Sequence, residues 1–108
     1  MRRFLATTIG CKVNQYDTEA AAGYLESLGL RRIQPDSPPA DGPPELVVIN
    51  TCCVTAAAAA KGRRAIRRAV RRHPDARVLI LGCAATNEPE SLRRLALEAG
   101  AAGVHVAG

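Results

Sequence analysis

The sequence predicts an open parallel α/β sheet of about four strands with helices on both faces. Three observations lead there. Short apolar runs recur at residues 4–9, 46–49 and 78–81, each too short for a helix and rich in strand-forming side chains. The two later runs show no alternation, the pattern of strands covered on both faces. Helix-period segments separate the runs, so the order β-α-β-α-β-α-β requires parallel strands joined by right-handed crossovers.

Taken in order, the first run ends at Gly10. From Asn14 onward Ala21, Tyr24, Leu25 and Leu28 fall on one helical face, and Gly29 stops that helix. Residues 30–33 are a candidate for a short extra extended piece. Residues 35–44 are dense in proline and carry Asp36, Asp41 and Gly42, so they read as an exposed loop. After the run at 46–49, Thr55 is a candidate cap for a helix over 56–70, whose one poor helix former is Gly62. Pro74 and Asp75 turn the chain into the run at 78–81, which Gly82 and Cys83 end. Asn87 as cap, Pro89 in the first turn and Glu90 at the third helical position form a capping-box spacing. That helix should run to about Ala99, before Gly100, and residues 104–106 suggest a last short strand.

Length and composition bound the rest. The 108 residues predict one domain, 1–108. Apolar residues make up 47% of the chain, yet Phe4, Tyr16 and Tyr24 are the whole aromatic complement. The core must therefore come from small side chains packed closely on a sheet. No stretch approaches the roughly eighteen apolar residues of a membrane span. The basic start, Met1-Arg2-Arg3, leads into a run too short and too β-like for a signal peptide, so the cytoplasm is the expected compartment. Thiols stay reduced there, which leaves four cysteines as buried, catalytic or metal-bound groups. The net charge of +5 is compatible with a polyanionic partner but does not require one.

The cysteines carry the sharpest signal. Cys11 follows the first strand, Cys52 and Cys53 the second main strand, and Cys83 the third. In a parallel sheet those ends share one edge, where open α/β sheets bind ligands. Neighbouring strands lie about 4.8 Å apart, so side chains leaving them can converge. A buried cysteine is merely a small hydrophobe, but such residues should fall inside strands as readily as past them. The knuckle spacing of structural zinc is absent, and adjacent Cys52 and Cys53 are poorly placed to share one tetrahedral metal. Four-thiolate zinc remains open. Three thiolates suit an iron–sulfur cluster with one iron left free, and Gly10 and Gly82 suit close approach of backbone to a bulky group. No G-x-G-x-x-G or P-loop supports phosphate binding at this edge, and no acid–base or nucleophile–His pair stands out.

Three segments carry a family resemblance. Thr8-Ile9-Gly10-Cys11-Lys12-Val13-Asn14-Gln15-Tyr16-Asp17-Thr18-Glu19 resembles the opening signature of the methylthiotransferase family. Those are radical S-adenosylmethionine enzymes that insert a methylthio group into tRNA adenosines or a ribosomal protein. Val48-Ile49-Asn50-Thr51-Cys52, with Val54-Thr55, resembles the second motif, and Leu81-Gly82-Cys83-Ala84 the third. The Lys-Val-Asn-Gln form is most similar to the branch acting on threonylcarbamoyladenosine beside the anticodon.

The resemblance implies that Cys11, Cys52 and Cys83 bind an auxiliary [4Fe–4S] cluster whose free iron carries the sulfur that is transferred. It also implies a tRNA-processing transferase that this chain alone does not complete. The radical domain with its C-x-x-x-C-x-x-C motif is absent from the sequence, as is the RNA-binding domain. S-adenosylmethionine and a second cluster would enter only through that radical domain, supplied in cis or in trans. A stand-alone metal- or cluster-binding module and an inactive remnant are the alternatives. Cys53 replaces the threonine usual after the second ligand and reads first as a bystander, with an alternative thiolate or a site of oxidation as the other readings. Residues 56–60, all alanine, replace a more polar helix start.

Lys61, Arg63, Arg64, Arg67, Arg68, Arg71 and Arg72 load the middle helix with positive charge that no acid interrupts. Arg64, Arg68, Arg71 and Arg72 fall at three-to-four spacing on one face, with Ile66 and Val70 turned toward the sheet. A tRNA backbone is one reading of that face, and a solvated arginine-rich surface is the other. With so few aromatics for base stacking, any RNA contact should be backbone-directed and auxiliary. Asn14, a candidate cap of the first helix, and Asn50, able to hydrogen-bond across the strand-end loops or to steady a cluster sulfide, both read chiefly as local structure. Lys12 and Gln15 lie beside the same edge, and Asp17 and Glu19 read as first-turn acids. His73 should sit at the opposite edge, and neither it nor His105 follows a strand end as the cysteines do.

Overall fold

The computed structural model describes residues 3–9, 12–33, 44–51, 56–82, 85 and 88–106. Its elements run β1 (Arg3–Thr8), α1 (Lys12–Ser27), β2 (Arg31–Ile33), β3 (Leu46–Thr51), α2 (Ala56–Arg72), β4 (Arg77–Gly82), α3 (Pro89–Ala99) and β5 (Gly103–Val106). The strands form one five-stranded sheet in the order β2-β1-β3-β4-β5, and every pair is parallel. The expected α/β class therefore stands, with one strand more than the apolar runs indicated. The addition is β2, three residues paired to one side of β1 as an edge strand. Two of its residues are arginines, which explains why no apolar run announced it.

The uninterrupted apolar runs are divided between the two faces by the strand period of two. Leu5, Val47, Ile49, Val78 and Ile80 point to one side, where Ile66 and Val70 of α2 and Leu92 and Ala96 of α3 cover them. Phe4 and Val48 point to the other side and pack against Ala22 of α1, with Leu25, Leu79 and Leu81 around them. Helices thus flank both faces. Phe4, Val47, Val48, Ile49, Ile66 and Ile80 are fully buried, and each such side chain contributes on the order of 1.5–3 kcal/mol.

The helix ends follow the glycines. Gly29 and Gly100 have φ of 96° and 109°. Each sits in a paired closure: Gly29 N–H to Glu26 O and Leu30 N–H to Leu25 O, then Gly100 N–H to Leu97 O and Ala101 N–H to Ala96 O. The start of α3 differs from the expected capping box. Glu88 occupies the cap position and makes no side-chain cap hydrogen bond, with Pro89 next. Asn87 lies outside the described residues. The first helix begins at Lys12, two residues before Asn14.

Candidate functional site

The strand order places the site. After β1 the chain adds β2 on one side, then returns past β1 to lay down β3 on the other, so the progression reverses between β1 and β3. The helices following those strands pack on opposite faces, α1 on one and α2 on the other, the arrangement that in open α/β sheets sets a crevice at the carboxyl ends of such strands, here β1 and β3. Register aligns the ends: Thr8 pairs with Asn50, Asn50 with Leu81, and Thr51 with Gly82. Ile9 N–H adds a bond to Asn50 O at 2.8 Å, extending the β1 edge by one residue. Ile9, Thr51 and Gly82 therefore end three adjacent strands at one level. In sequence, Thr51 directly precedes Cys52, Gly82 directly precedes Cys83, and Ile9 lies two residues before Cys11.

A polar brace ties this rim together. Thr8 Oγ1 donates to Thr18 Oγ1 at 2.6 Å, and Asn50 Nδ2 donates to the same oxygen at 3.1 Å. Thr51 Oγ1 donates to the Leu81 carbonyl at 2.6 Å. Thr18, Asn50 and Thr51 are all buried, so these bonds replace water on groups that would otherwise be costly to hide. The brace joins α1, β1, β3 and β4. Asn50 is expected to hydrogen-bond across the strand-end loops, and its partner here is instead Thr18 of α1. Thr18, inside the first motif, is the partner that sequence reasoning missed.

Gly82 has the tightest packing of the rim. Its φ is 98°, and a Cβ there would collide with the Thr51 carbonyl and stand 2.6 Å from Asn50 Oδ1. The expected close approach at this glycine is thus to the end of β3.

Cys11, Cys52, Cys53 and Cys83 lie outside the described residues, as do Gly10 and Thr55. The side chains of Lys12, Asn14 and Asp17 are likewise not among those described. Gln15 is exposed on α1. Among the described residues no group of three His, Cys, Asp or Glu could hold a metal ion. No helix among them is long and apolar enough to cross a membrane.

The basic helix α2 turns Gly62, Ile66 and Val70 to the core, as its spacing predicts. Lys61, Arg64, Arg67, Arg68, Arg71 and Arg72 are exposed. Arg71 and Arg72 occupy the last turn, where cations oppose the helix dipole. Two clefts divide these charges. One, of about 420 Å³, has Thr8 and Ile9 of the rim together with Lys61, Arg64, Ala65 and Arg68 on its walls. The second, of about 580 Å³, carries Arg64, Arg67, Arg68, Arg71 and Arg72. Arg64 and Arg68 belong to both, so the clefts adjoin. Lys61, absent from the face expected from spacing, is the cation of this helix that meets the rim alongside them.

Arg32 Nη1 donates to Glu19 Oε2 at 2.6 Å, linking α1 to β2. That hydrogen bond, and then the charge of Arg32, hold the Glu19 carboxyl below its usual range. His73 follows α2, its N–H bonded to Ala69 O and its carbonyl to Ala76 N–H just before β4 begins. It therefore lies at the amino edge of the sheet, as expected. Partial burial, and then the nearby Arg72 charge, push its pKa below the ordinary histidine value. His105 is exposed on β5 opposite Leu79.

Comparison with known proteins agrees with this architecture. Two curated relatives are each called threonylcarbamoyladenosine tRNA methylthiotransferase MtaB. The chain is 38% identical over 87 residues to that of Chlamydia pneumoniae and 38% identical over 85 residues to that of Bacillus subtilis (strain 168). The matches take in 81% and 79% of this chain but only 20% and 18% of those proteins, so the chain spans about a fifth of their length. Among solved structures, it is similar to a response regulator from Burkholderia pseudomallei with a phosphorylated aspartic acid, calcium ion and citrate. There the TM-score is 0.62 at 19% identity, covering 96% of this chain and 58% of that one. The response regulator TrrA from Thermotoga maritima, in complex with Mg2+–BeF, gives a TM-score of 0.57 at 13% identity over 100% of this chain and 88% of its own. At those identities the likeness is one of fold. A further match runs over residues 3–102, from the first residue of β1 to the residue before β5. With every element but the last strand inside that match, the chain belongs to the uncharacterized protein family UPF0004.

Proposed function

We propose that this chain is the N-terminal, auxiliary [4Fe–4S] cluster-binding domain of a tRNA methylthiotransferase acting on threonylcarbamoyladenosine beside the anticodon. One observation carries the reading: three adjacent parallel strands end level at Ile9, Thr51 and Gly82, and a cysteine follows each within two residues. The donor set fits the group, since thiolates are the soft ligands that iron–sulfur clusters take. Cys11, Cys52 and Cys83 would hold it. A cluster held by three protein thiolates leaves one iron open to carry the sulfur that such enzymes transfer.

This chain's own residues would fix the frame. The Thr8–Thr18–Asn50 brace and the Thr51–Leu81 bond hold the three strand ends in register. Gly82 brings the ends of β3 and β4 to a contact that admits no side chain. Radical and RNA-binding domains, in cis or in trans, would bring S-adenosylmethionine and its own cluster, and the whole would work in the cytoplasm. The relatives' names and the share of their length that this chain spans support that division of labour.

Anaerobic reconstitution with iron and sulfide tests the reading. Iron analysis should return about four irons per chain. Changing Cys11, Cys52 or Cys83 to Ala should abolish them together, while Cys53→Ala keeps them. Binding of a single zinc, or dependence on Cys53 in place of Cys52, would overturn the assignment.

A further inference from the structure

The cations of α2 cover the surface opposite its core residues, and part of them meets the rim. Measured around the helix, Lys61, Arg64, Arg68 and Arg72 follow one flank at three-to-four spacing, and the first three of them form the cleft with Thr8 and Ile9. Arg67 and Arg71 join Arg64, Arg68 and Arg72 on the walls of the adjoining cleft, and Arg63 is half-buried. At 1.5 Å per residue, the row from Lys61 to Arg72 extends about 16 Å. That is the length of roughly five nucleotides at 3.4 Å each. The row begins beside the carboxyl edge of β1 and leads away from it along the adjoining arginine cleft.

We propose that this row is a phosphate track for a single-stranded RNA backbone, leading the strand to the rim at Thr8 and Ile9. It deepens the functional reading above, on which its destination rests, but the track itself needs no cluster. The chemistry of the flank selects this partner class. Its donors are guanidinium and ammonium groups, which bind phosphate oxygens. The large apolar residues of α2, Ile66 and Val70, face the core, so no bulky hydrophobic side chain interleaves the charges as membrane-surface helices require. The exposed aromatics, Tyr16 and Tyr24, belong to α1, which packs on the opposite face of the sheet. With no ring among the cleft residues to stack on a base, recognition should be indifferent to sequence.

The test uses the whole chain without metal, with a labelled single-stranded RNA of about twelve nucleotides, by fluorescence anisotropy across a salt series. Three to four neutralised phosphates predict a slope of log K against log salt of about −2 to −3. Affinity should then fall about 30-fold between roughly 50 and 200 mM salt. Lys61→Gln, Arg64→Gln and Arg68→Gln should each weaken binding and reduce the slope by about 0.7. The pair Arg93→Gln and Arg94→Gln, exposed on α3, removes more charge than any one of these and should leave the slope unchanged. Equal losses from the α3 pair would overturn the track in favour of diffuse charge. Competition by polyglutamate as effective as RNA would overturn it in favour of an acidic protein partner. Replacing Cys11, Cys52 and Cys83 by Ala should leave RNA binding intact, which separates failure of the cluster from failure of the track.

Discussion

Asn50 of β3 donates from Nδ2 to Thr18 Oγ1 of α1 at 3.1 Å, across 32 positions of sequence and out of contact with water. The same threonine oxygen accepts from Thr8 at 2.6 Å. One hydroxyl thus couples the first helix to the two strands that border the crevice.

Removing that brace should be costly in proportion to its burial. Asn50→Ala removes one donor from the buried Thr18 hydroxyl and opens a small void, so a loss of about 1–3 kcal/mol is expected. Thr18→Val keeps the shape but leaves the Asn50 amide and the Thr8 hydroxyl without this acceptor, and should cost a similar amount. Chemical denaturation of each variant checks this. An Asn50→Ala change within about 0.5 kcal/mol of the parent would show the brace to be dispensable.

Two glycines should respond in opposite senses to the same substitution. At Gly62, inside α2, an added Cβ would meet Thr51 Cγ2 at 3.8 Å, an ordinary packing distance. Gly62→Ala should therefore stabilise by roughly 0.5–1 kcal/mol through helix propensity. At Gly82 the backbone is left-handed and the Cβ has no room beside Thr51 O and Asn50 Oδ1. Gly82→Ala should lose about 3 kcal/mol or more, combining conformational strain with a clash against backbone. Paired thermal melts decide between these outcomes and equal effects at both sites.

His73 gives a pH signature. Its folded pKa lies below the ordinary value because partial burial, then Arg72, disfavour the imidazolium. The unfolded chain therefore takes up the proton first as pH falls below about 6.5. Stability should be fully present above that pH and decline on acidification until the folded form also titrates. His73→Gln should flatten that part of the stability–pH curve. An NMR midpoint for His73 at or above 6.5 would contradict the environment described.

Much of this fold was legible as apolar runs and helix stops, and the reasons for the exceptions are physical. The runs of β3 and β4 were plain because both faces of these strands are covered. β2 was ambiguous because an edge strand of three residues needs few apolar side chains, and Arg31 and Arg32 can stay near solvent. The division of α2 into a core face and a charged surface followed from spacing, but its meeting with the rim through Lys61 depends on how the helix lies across the sheet. Strand order was not legible at all: no local pattern says that the chain returns past β1. The common rim was legible as the shared ends of the apolar runs, whereas Thr18 became visible only once α1 and β3 were side by side.

The register of β3 has a consequence for the spacing of the polar brace at the strand ends. Val47 and Ile49 serve one layer of the core and Val48 the other, so a one-residue slip would turn each side chain into the wrong layer. The oily interior consequently acts as a ruler for the chemistry at its margin. A change deep in either layer that lets β3 creep would displace a donor atom several ångströms away without touching it.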